Sequence, residues 1–220
     1  MTYLKRLKYV VLGAMSLSGL LFFSNNTQVE ARQVNSKNVM TTKSIRSGKV
    51  VIPAKTRFQV QTYGTENGKR TMTVSMDQFN YQIRRQTTKS SVKFAVNNTI
   101  KKANATYQYL YLVKGKTTLS DAAYKTAPRL IITTNGYAEY YKSSNLKQKP
   151  VSATKLNAIR KNGNITYYYA KTNMLKLPDK HIQSKTKKYN CRLAIRSNKN
   201  YGSYSVGTVK NYFYVPTGNA

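Results

Sequence analysis

Three Asn-Gly dipeptides, each set between segments that alternate apolar and polar residues, constrain this 220-residue chain more than any other feature. Asn-Gly accepts the positive φ angles that tight hairpin turns require, and a period of two is the signature of a strand. Before Asn67-Gly68, Phe58, Val60 and Thr62 alternate with Arg57, Gln59 and Gln61; after it, Met72, Val74 and Met76 alternate with Thr71, Thr73 and Ser75. The tip around Gly64 to Lys69 admits either a two-residue turn or a longer loop. Asn135-Gly136 lies between residues 130–133 and 137–141, and Asn162-Gly163 between 156–160 and 165–170. Further strands are expected around Tyr81 and Ile83, at 92–96, 107–113, 193–195, 201–206 and 209–215, with Gly207 as a bulge. A helical turn over 119–124, capped by Ser120 or Asp121, ends before Pro128. The pattern predicts an all-β fold of antiparallel hairpins, as one or two small barrels or a sandwich. Residues 50–126 and 127–220 are read as two β modules. A hairpin layout beginning at Ile52-Pro53-Ala54-Lys55-Thr56 is echoed from Val151 onward.

The first 31 residues read as an export signal. Lys5, Arg6 and Lys8 form a basic start, residues 9–23 an apolar run, and Val29-Glu30-Ala31 a small-residue cleavage site. The run is short of the ~20 residues a membrane span needs. Residues 32–49 are polar and aperiodic at their start and are read as a flexible leader. The expected location is outside the cell, with retention at the wall. That retention would be non-covalent, because no cysteine follows the apolar run and Pro216-Thr217-Gly218 is only a fragment of a sorting pentapeptide.

The chain carries 38 Lys+Arg against 6 Asp+Glu, a formal charge of +32. AT-rich codon usage can raise Lys and Asn, but it does not remove Asp and Glu, so the imbalance points to polyanionic partners. Nineteen tyrosines and many β-branched residues argue against disorder. A single cysteine, Cys191, rules out an internal disulfide, so the fold must rest on apolar burial.

Residues Ile52 to Thr56 leading into Tyr63-Gly64-Thr65-Glu66-Asn67-Gly68-Lys69, the Asn162-Gly163-Asn164-Ile165-Thr166-Tyr167-Tyr168-Tyr169 run and the Lys-Arg-Leu-Lys signal start resemble secreted cell-surface proteins of lactobacillus type. Their SH3-like β-barrel repeats, including the S-layer-attachment kind, are the point of likeness. The resemblance covers about a third of the chain. It implies SH3-like modules held non-covalently on teichoic acid or a related wall polymer, and it supplies no catalytic residue.

Catalytic alternatives find little support. A Cys191–His181 pair lacks the small neighbours that cysteine nucleophiles keep around them. Four Ser-x-x-Lys spacings are of the order chance gives in so lysine-rich a chain. Of the carboxylates, Glu139 alone stands in an aromatic setting that would raise a pKa. One His, one Cys and few acids argue against a metal site, and no cofactor is expected. The informative pattern is aromatic plus cationic: tyrosine faces stack on sugar rings or bases, and cations neutralise phosphates or carboxylates. Candidate polymer-binding residues are therefore Arg84, Arg85, Tyr137, Tyr140, Tyr141, Lys142, Tyr168, Lys171, Lys185, Lys187, Lys188, Tyr204 and Lys210. In Tyr167-Tyr168-Tyr169, alternation must turn at least one ring away from the core unless both faces are covered. The sequence reading is a secreted, non-enzymatic, cationic protein that binds an anionic wall polymer. The alternative is a host-facing adhesin for mucin, glycosaminoglycan or extracellular DNA, with any nucleic-acid binding non-specific. A wall-active hydrolase or transpeptidase is a more remote third reading.

Overall fold

A computed structural model describes residues 34, 36–104, 107–116, 120–174, 180–181, 191–199 and 202–216. The export-signal expectation and the candidates Lys185, Lys187 and Lys188 lie outside the described residues. From Ala31 onward the chain is one compact unit. Its secondary structure is nearly all β, in antiparallel sheets that include a curled half-barrel.

The N-terminal part contains β1 (Asn38–Thr41), β2 (Ile45–Ser47), β3 (Val50–Ile52), β4 (Arg57–Gln59), β5 (Thr62–Glu66) and β6 (Lys69–Ser75). The one-turn helix α1 (Tyr81–Arg84) follows, then β7 (Ser91–Ala95) and β8 (Ile100–Lys102). These strands form three small sheets, ordered β4-β1-β8, β2-β3 and β5-β6-β7. The alternation in β6 is read correctly from sequence: Met72 and Val74 are buried, and their neighbours are half-exposed. They share a core with Val39, Ile52, Phe58 and Phe94. Phe79 joins it with its ring 5.5 Å from that of Phe58. The β5–β6 hairpin closes with a two-residue turn, Glu66 pairing with Lys69, and both Asn67 and Gly68 take positive φ.

Three expectations are corrected here. Residues 38–47, read as flexible leader, supply β1 and β2, and Val39 and Ile45 are core residues. Lone strands this short show too few residues for periodicity to register, and β1 gains its stability by pairing on both sides with β4 and β8. Tyr81 and Ile83 lie in a helical turn, because the Ile83 and Arg84 amides both bond back to the Asn80 carbonyl. The third concerns the boundary after residue 126, treated below.

The C-terminal part begins with β9 (Leu110–Lys114), α2 (Asp121–Thr126), β10 (Arg129–Ile132), β11 (Tyr137–Tyr141) and β12 (Ser152–Lys155). It continues with β13 (Ala158–Asn162), β14 (Ile165–Ala170), β15 (Lys180–His181), β16 (Cys191–Ser197), β17 (Ser203–Val206) and β18 (Tyr212–Tyr214). They form one sheet in the order β12-β11-β10-β9-β18-β17-β16-β14-β13, with β15 also on β16. Because β9 pairs with both β10 and β18, it belongs to this sheet, and the two parts divide between β8 and β9 rather than at residue 126. The echoed layout leads to a hairpin each time, β5–β6 and β13–β14, but its opening segments differ: residues 52–56 lead from β3 to β4, whereas 151–155 contain edge strand β12.

The core of this sheet gathers Leu112, Leu130, Ile132, Leu193, Ile195 and Phe213, together with Tyr168. At Asn135-Gly136 the Gly136 amide bonds the Thr133 carbonyl and Gly136 has φ 80°, a type I turn followed by a left-handed residue. A Cβ at Gly136 would lie 2.8 Å from the Tyr107 ring, so close approach also demands glycine. At the third turn Asn162 pairs with Ile165, so the turn residues are Gly163 and Asn164, with Gly163 at positive φ. Helix α2 follows Ser120 as expected. Arg129, fully buried, closes its far end by donating to the Tyr124 and Ala127 carbonyls, with its guanidinium 4.3 Å from the Tyr124 ring centre. A cation at a helix C-terminus is favoured by the exposed carbonyls there.

A polar seam joins the two parts. Gln78 accepts from the Gln59 amide and donates to the Gln59 carbonyl, while the Thr134 amide and hydroxyl donate to the Gln78 carbonyl. Asn135 accepts from the Asn80 amide, and its side chain donates to the Asn80 side-chain oxygen. At the centre Arg84 pairs with Glu139 at 3.1 Å. Arg84 also donates to the Phe79 carbonyl at 2.7 Å and to the Tyr141 hydroxyl oxygen. Tyr141 in turn donates to Glu139 at 2.8 Å, and the Tyr81 amide donates to the other Glu139 oxygen at 2.7 Å.

Candidate polymer-binding surface

Three of the candidates, Arg84, Tyr141 and Tyr168, are buried. Arg84 and Tyr141 are buried in the seam. Burial, and next the neighbouring Glu139 carboxylate, push the Tyr141 phenol well above the ordinary tyrosine range. Tyr168, 3 % exposed, points into the core of the large sheet, and burial raises its phenol as well. Tyr140 is half-buried and packs against the same core. The same network answers the question of Glu139. Its two oxygens hold a guanidinium, a hydroxyl and a backbone amide, which is the bonding of a carboxylate held in place. Cys191 is buried in the core beside Leu193. The ladder sets His181 opposite Cys191 in register, a proximity that the intervening sequence conceals.

The remaining described candidates reach the surface in different degrees. Lys142, Lys171 and Lys210 are exposed, Tyr137 is half-exposed, and Arg85 is exposed with its guanidinium 5.9 Å from the Tyr81 ring centre. Tyr204 is half-buried against the core.

What sequence reading missed is a face. In β13, β14 and β16, residues directly opposite each other share a side of the sheet. Tyr168, Leu193 and Ile195 take the core side. The other side therefore carries Tyr167 and Tyr169 from β14, Arg160 from β13, and Arg192, Ala194 and Arg196 from β16. Register places Arg160 opposite Tyr167, and Ala194 opposite Tyr167 on its other flank. Arg192 lies diagonally across with its guanidinium 5.0 Å from the Tyr167 ring centre. Arg196 sits opposite Ile165. Arg160 and Arg196 are exposed, while Arg192 and Tyr167 are half-buried. No Asp or Glu occurs in any of these three strands. Tyr167 thus supplies the outward ring that the triplet requires, and Tyr169 on the same side is covered.

The signal for this face was present as alternation. Cys191-Arg192-Leu193-Ala194-Ile195-Arg196 puts Arg192 and Arg196 opposite the apolar set. Its significance emerges only once β13 and β14 are laid beside β16.

A ring and a guanidinium at this separation attract through the ring quadrupole, by about 0.5–1 kcal/mol at exposed sites. The stack also holds the Arg192 fork in place, so less side-chain entropy is lost when it meets an anion. The face can thus present planar, bidentate donors to phosphate or carboxylate groups beside a ring able to stack on a sugar.

Among the described residues no three His, Cys, Asp or Glu side chains are grouped to hold a metal ion, and no helix is long and apolar enough to cross a membrane. Compared with family models, curated proteins and solved structures, the chain matches none.

Proposed function

We propose that this is a secreted surface protein that attaches non-covalently to an anionic cell-wall polymer of the teichoic acid type. The observation that carries the reading is the outer face of β13, β14 and β16, where Arg160, Arg192 and Arg196 surround Tyr167 with no carboxylate in the three strands. A cationic face of this kind would normally be balanced by surface acids. Here the chain has six acidic residues in all, and two of them, Glu139 and Glu66, are committed to Arg84 and Lys93. The uncompensated positive field draws a polyanion to the surface, and the forked guanidinium groups then hold its charges. The likeness of the hairpin sequences to SH3-like wall-binding modules and the basic, apolar N-terminal segment support the same reading.

The test is binding of the full chain to purified walls, with and without teichoic acid extraction, across a salt series. Binding should fall steeply with salt, because each neutralised charge releases a counterion, and should be lost on extraction. Binding that persists unchanged to molar salt would overturn the proposal. Binding that is indifferent to extraction but captured by glycosaminoglycan would transfer the same face to a host ligand.

A further inference from the structure

A further feature lies where α1 meets β11 and β12. A cleft of about 520 Å³ opens there. Its lining includes the continuous run from Lys149 to Thr154, the edge strand β12 and the segment entering it, together with Asn80, Tyr81 and Gln82 at α1. Tyr137 and Glu139 of β11 also line it, and Thr172 and Asn173 complete the lining. A second cleft of about 310 Å³ adjoins it, sharing Lys149 and Val151 in its lining. The smaller cleft adds Lys142, Ser143, Asn145 and Gln148.

The chemistry of the two clefts differs in a useful way. The larger cleft has two half-exposed rings, Tyr81 and Tyr137, with the exposed amides of Gln82 and Asn173 and the hydroxyl of Thr172. Rings with planar amides and hydroxyls are the groups that grip a saccharide, through stacking on its apolar face and bonds to its hydroxyls. Its carboxylate, Glu139, is neutralised by Arg84 and repels no anion. Ser152 of β12 also lines this cleft, with its buried hydroxyl set by register on the Tyr140 side of the sheet rather than beside Tyr137 and Glu139. The exposed Lys149, shared by the two clefts, and the exposed Lys142 in the smaller one provide positive charge beside the polar side chains of Ser143, Asn145 and Gln148.

We infer that the paired clefts are a subsite for one phosphate-bearing sugar or polyol unit. The ring or polyol sits between Tyr81 and Tyr137, and the phosphate lies over Lys149 and towards Lys142. This rests on the anionic-polymer reading and deepens it. The arginine face would supply affinity for any dense polyanion, whereas the clefts would recognise the repeating unit itself.

The test is ligand-observed NMR titration of the full chain with glucose 1-phosphate and glycerol 3-phosphate, against methyl glucoside and inorganic phosphate as half-ligands. The expected result is binding of at least one sugar or polyol phosphate at least about tenfold tighter than of either half-ligand, a difference of about 1.4 kcal/mol. Tyr137→Ala and Lys149→Gln should each weaken it about tenfold. Lys149 is exposed, so its substitution tests the site even if the tyrosine variant folds poorly. Inorganic phosphate binding as tightly as both sugar phosphates, or no loss in Lys149→Gln, would overturn the inference. Wild-type chain that binds walls in a salt-dependent way but ignores the sugar phosphates would sink the subsite and leave the wall reading standing. Absence of both would remove both.

Discussion

The seam at Arg84 and the outer face at Arg192 use the same two side-chain types to opposite ends. In the seam, Arg84 lies 5.6 Å from the centre of the Tyr141 ring, both residues are buried, and Glu139 balances the charge. On the outer face, Arg192 lies 5.0 Å from the centre of the Tyr167 ring, both are half-buried, and β13, β14 and β16 contain no acid. An arginine beside a tyrosine is thus not in itself a binding signature. A guanidinium that already has its carboxylate and carbonyl partners is a fastener. One that is held by a ring, with no acid in its own strand or in the two beside it, is open to a ligand's anion.

The largest effect that would separate the two regions is on stability. Arg84→Ala strands the Glu139 carboxylate in the interior, and removal of one partner from a buried pair costs about 3–5 kcal/mol. Urea unfolding should show that loss, while the fraction that remains folded should bind walls as the wild type does. A joint Arg84→Met and Glu139→Leu replacement should recover most of the stability, since apolar residues of similar volume often replace such pairs without loss. A double variant as unstable as Arg84→Ala would mean that the other hydrogen bonds of the seam matter more than its charges.

Alkali should act on the stability of the interior. Burial raises the phenols of Tyr109, Tyr141 and Tyr168, and pushes Tyr111 up to about 12, from an ordinary value of 10. Below pH 10 these phenols are protonated in folded and unfolded chains alike, and their contribution to stability is fully present. As pH rises through 10, the unfolded chain releases protons that the folded chain keeps, so stability falls and continues to fall until the folded phenols also ionise. Denaturation midpoints measured from pH 8 to 11.5 should be flat at first and then decline. A midpoint that stayed level to pH 11.5 would contradict the burial of these rings.

On the outer face the effect is on binding. Arg192→Gln should lower wall affinity about tenfold, roughly 1.4 kcal/mol, and reduce the salt slope by about one released counterion. Its unfolding midpoint should hardly move. Affinity that is unchanged in Arg192→Gln and in Arg160→Gln would place the polymer elsewhere. The smallest effect is expected at the exposed Lys93–Glu66 pair on β7 and β5, 3.3 Å apart. Glu66→Gln should change stability by less than about 1 kcal/mol, because solvent screens such pairs.

The contrast between the two arginines also marks how far sequence reading reached. Arg84-Arg85 read as a surface charge run, yet Arg85 is exposed and Arg84 is buried. No local pattern distinguishes them, because the carboxylate that draws Arg84 inward is 55 residues away. Tyr141 and Tyr168 read from sequence as ligand contacts, since a tyrosine at a strand position has the same appearance whether its face is covered or open. Residues 38–47 escaped detection because three- and four-residue strands carry no measurable period. Of the proposed subsite at β12 only Tyr137 and Lys142 were legible; Tyr81 comes from α1 and Lys149 from the segment entering β12, far apart in the chain.

The sequence by itself determined the antiparallel β architecture, the position of its hairpins at Asn67-Gly68, Asn135-Gly136 and Asn162-Gly163, the core set of β6, and the positive charge. These follow from period-two burial and from turn stereochemistry, which act between near neighbours in the chain. The tertiary structure alone decided the order of strands in the large sheet, the division between β8 and β9, and which of the chain's arginines and tyrosines are fasteners. Pairing partners far apart in sequence set those outcomes, and the cost of burying a charge without its counter-charge then fixed where each cation could lie.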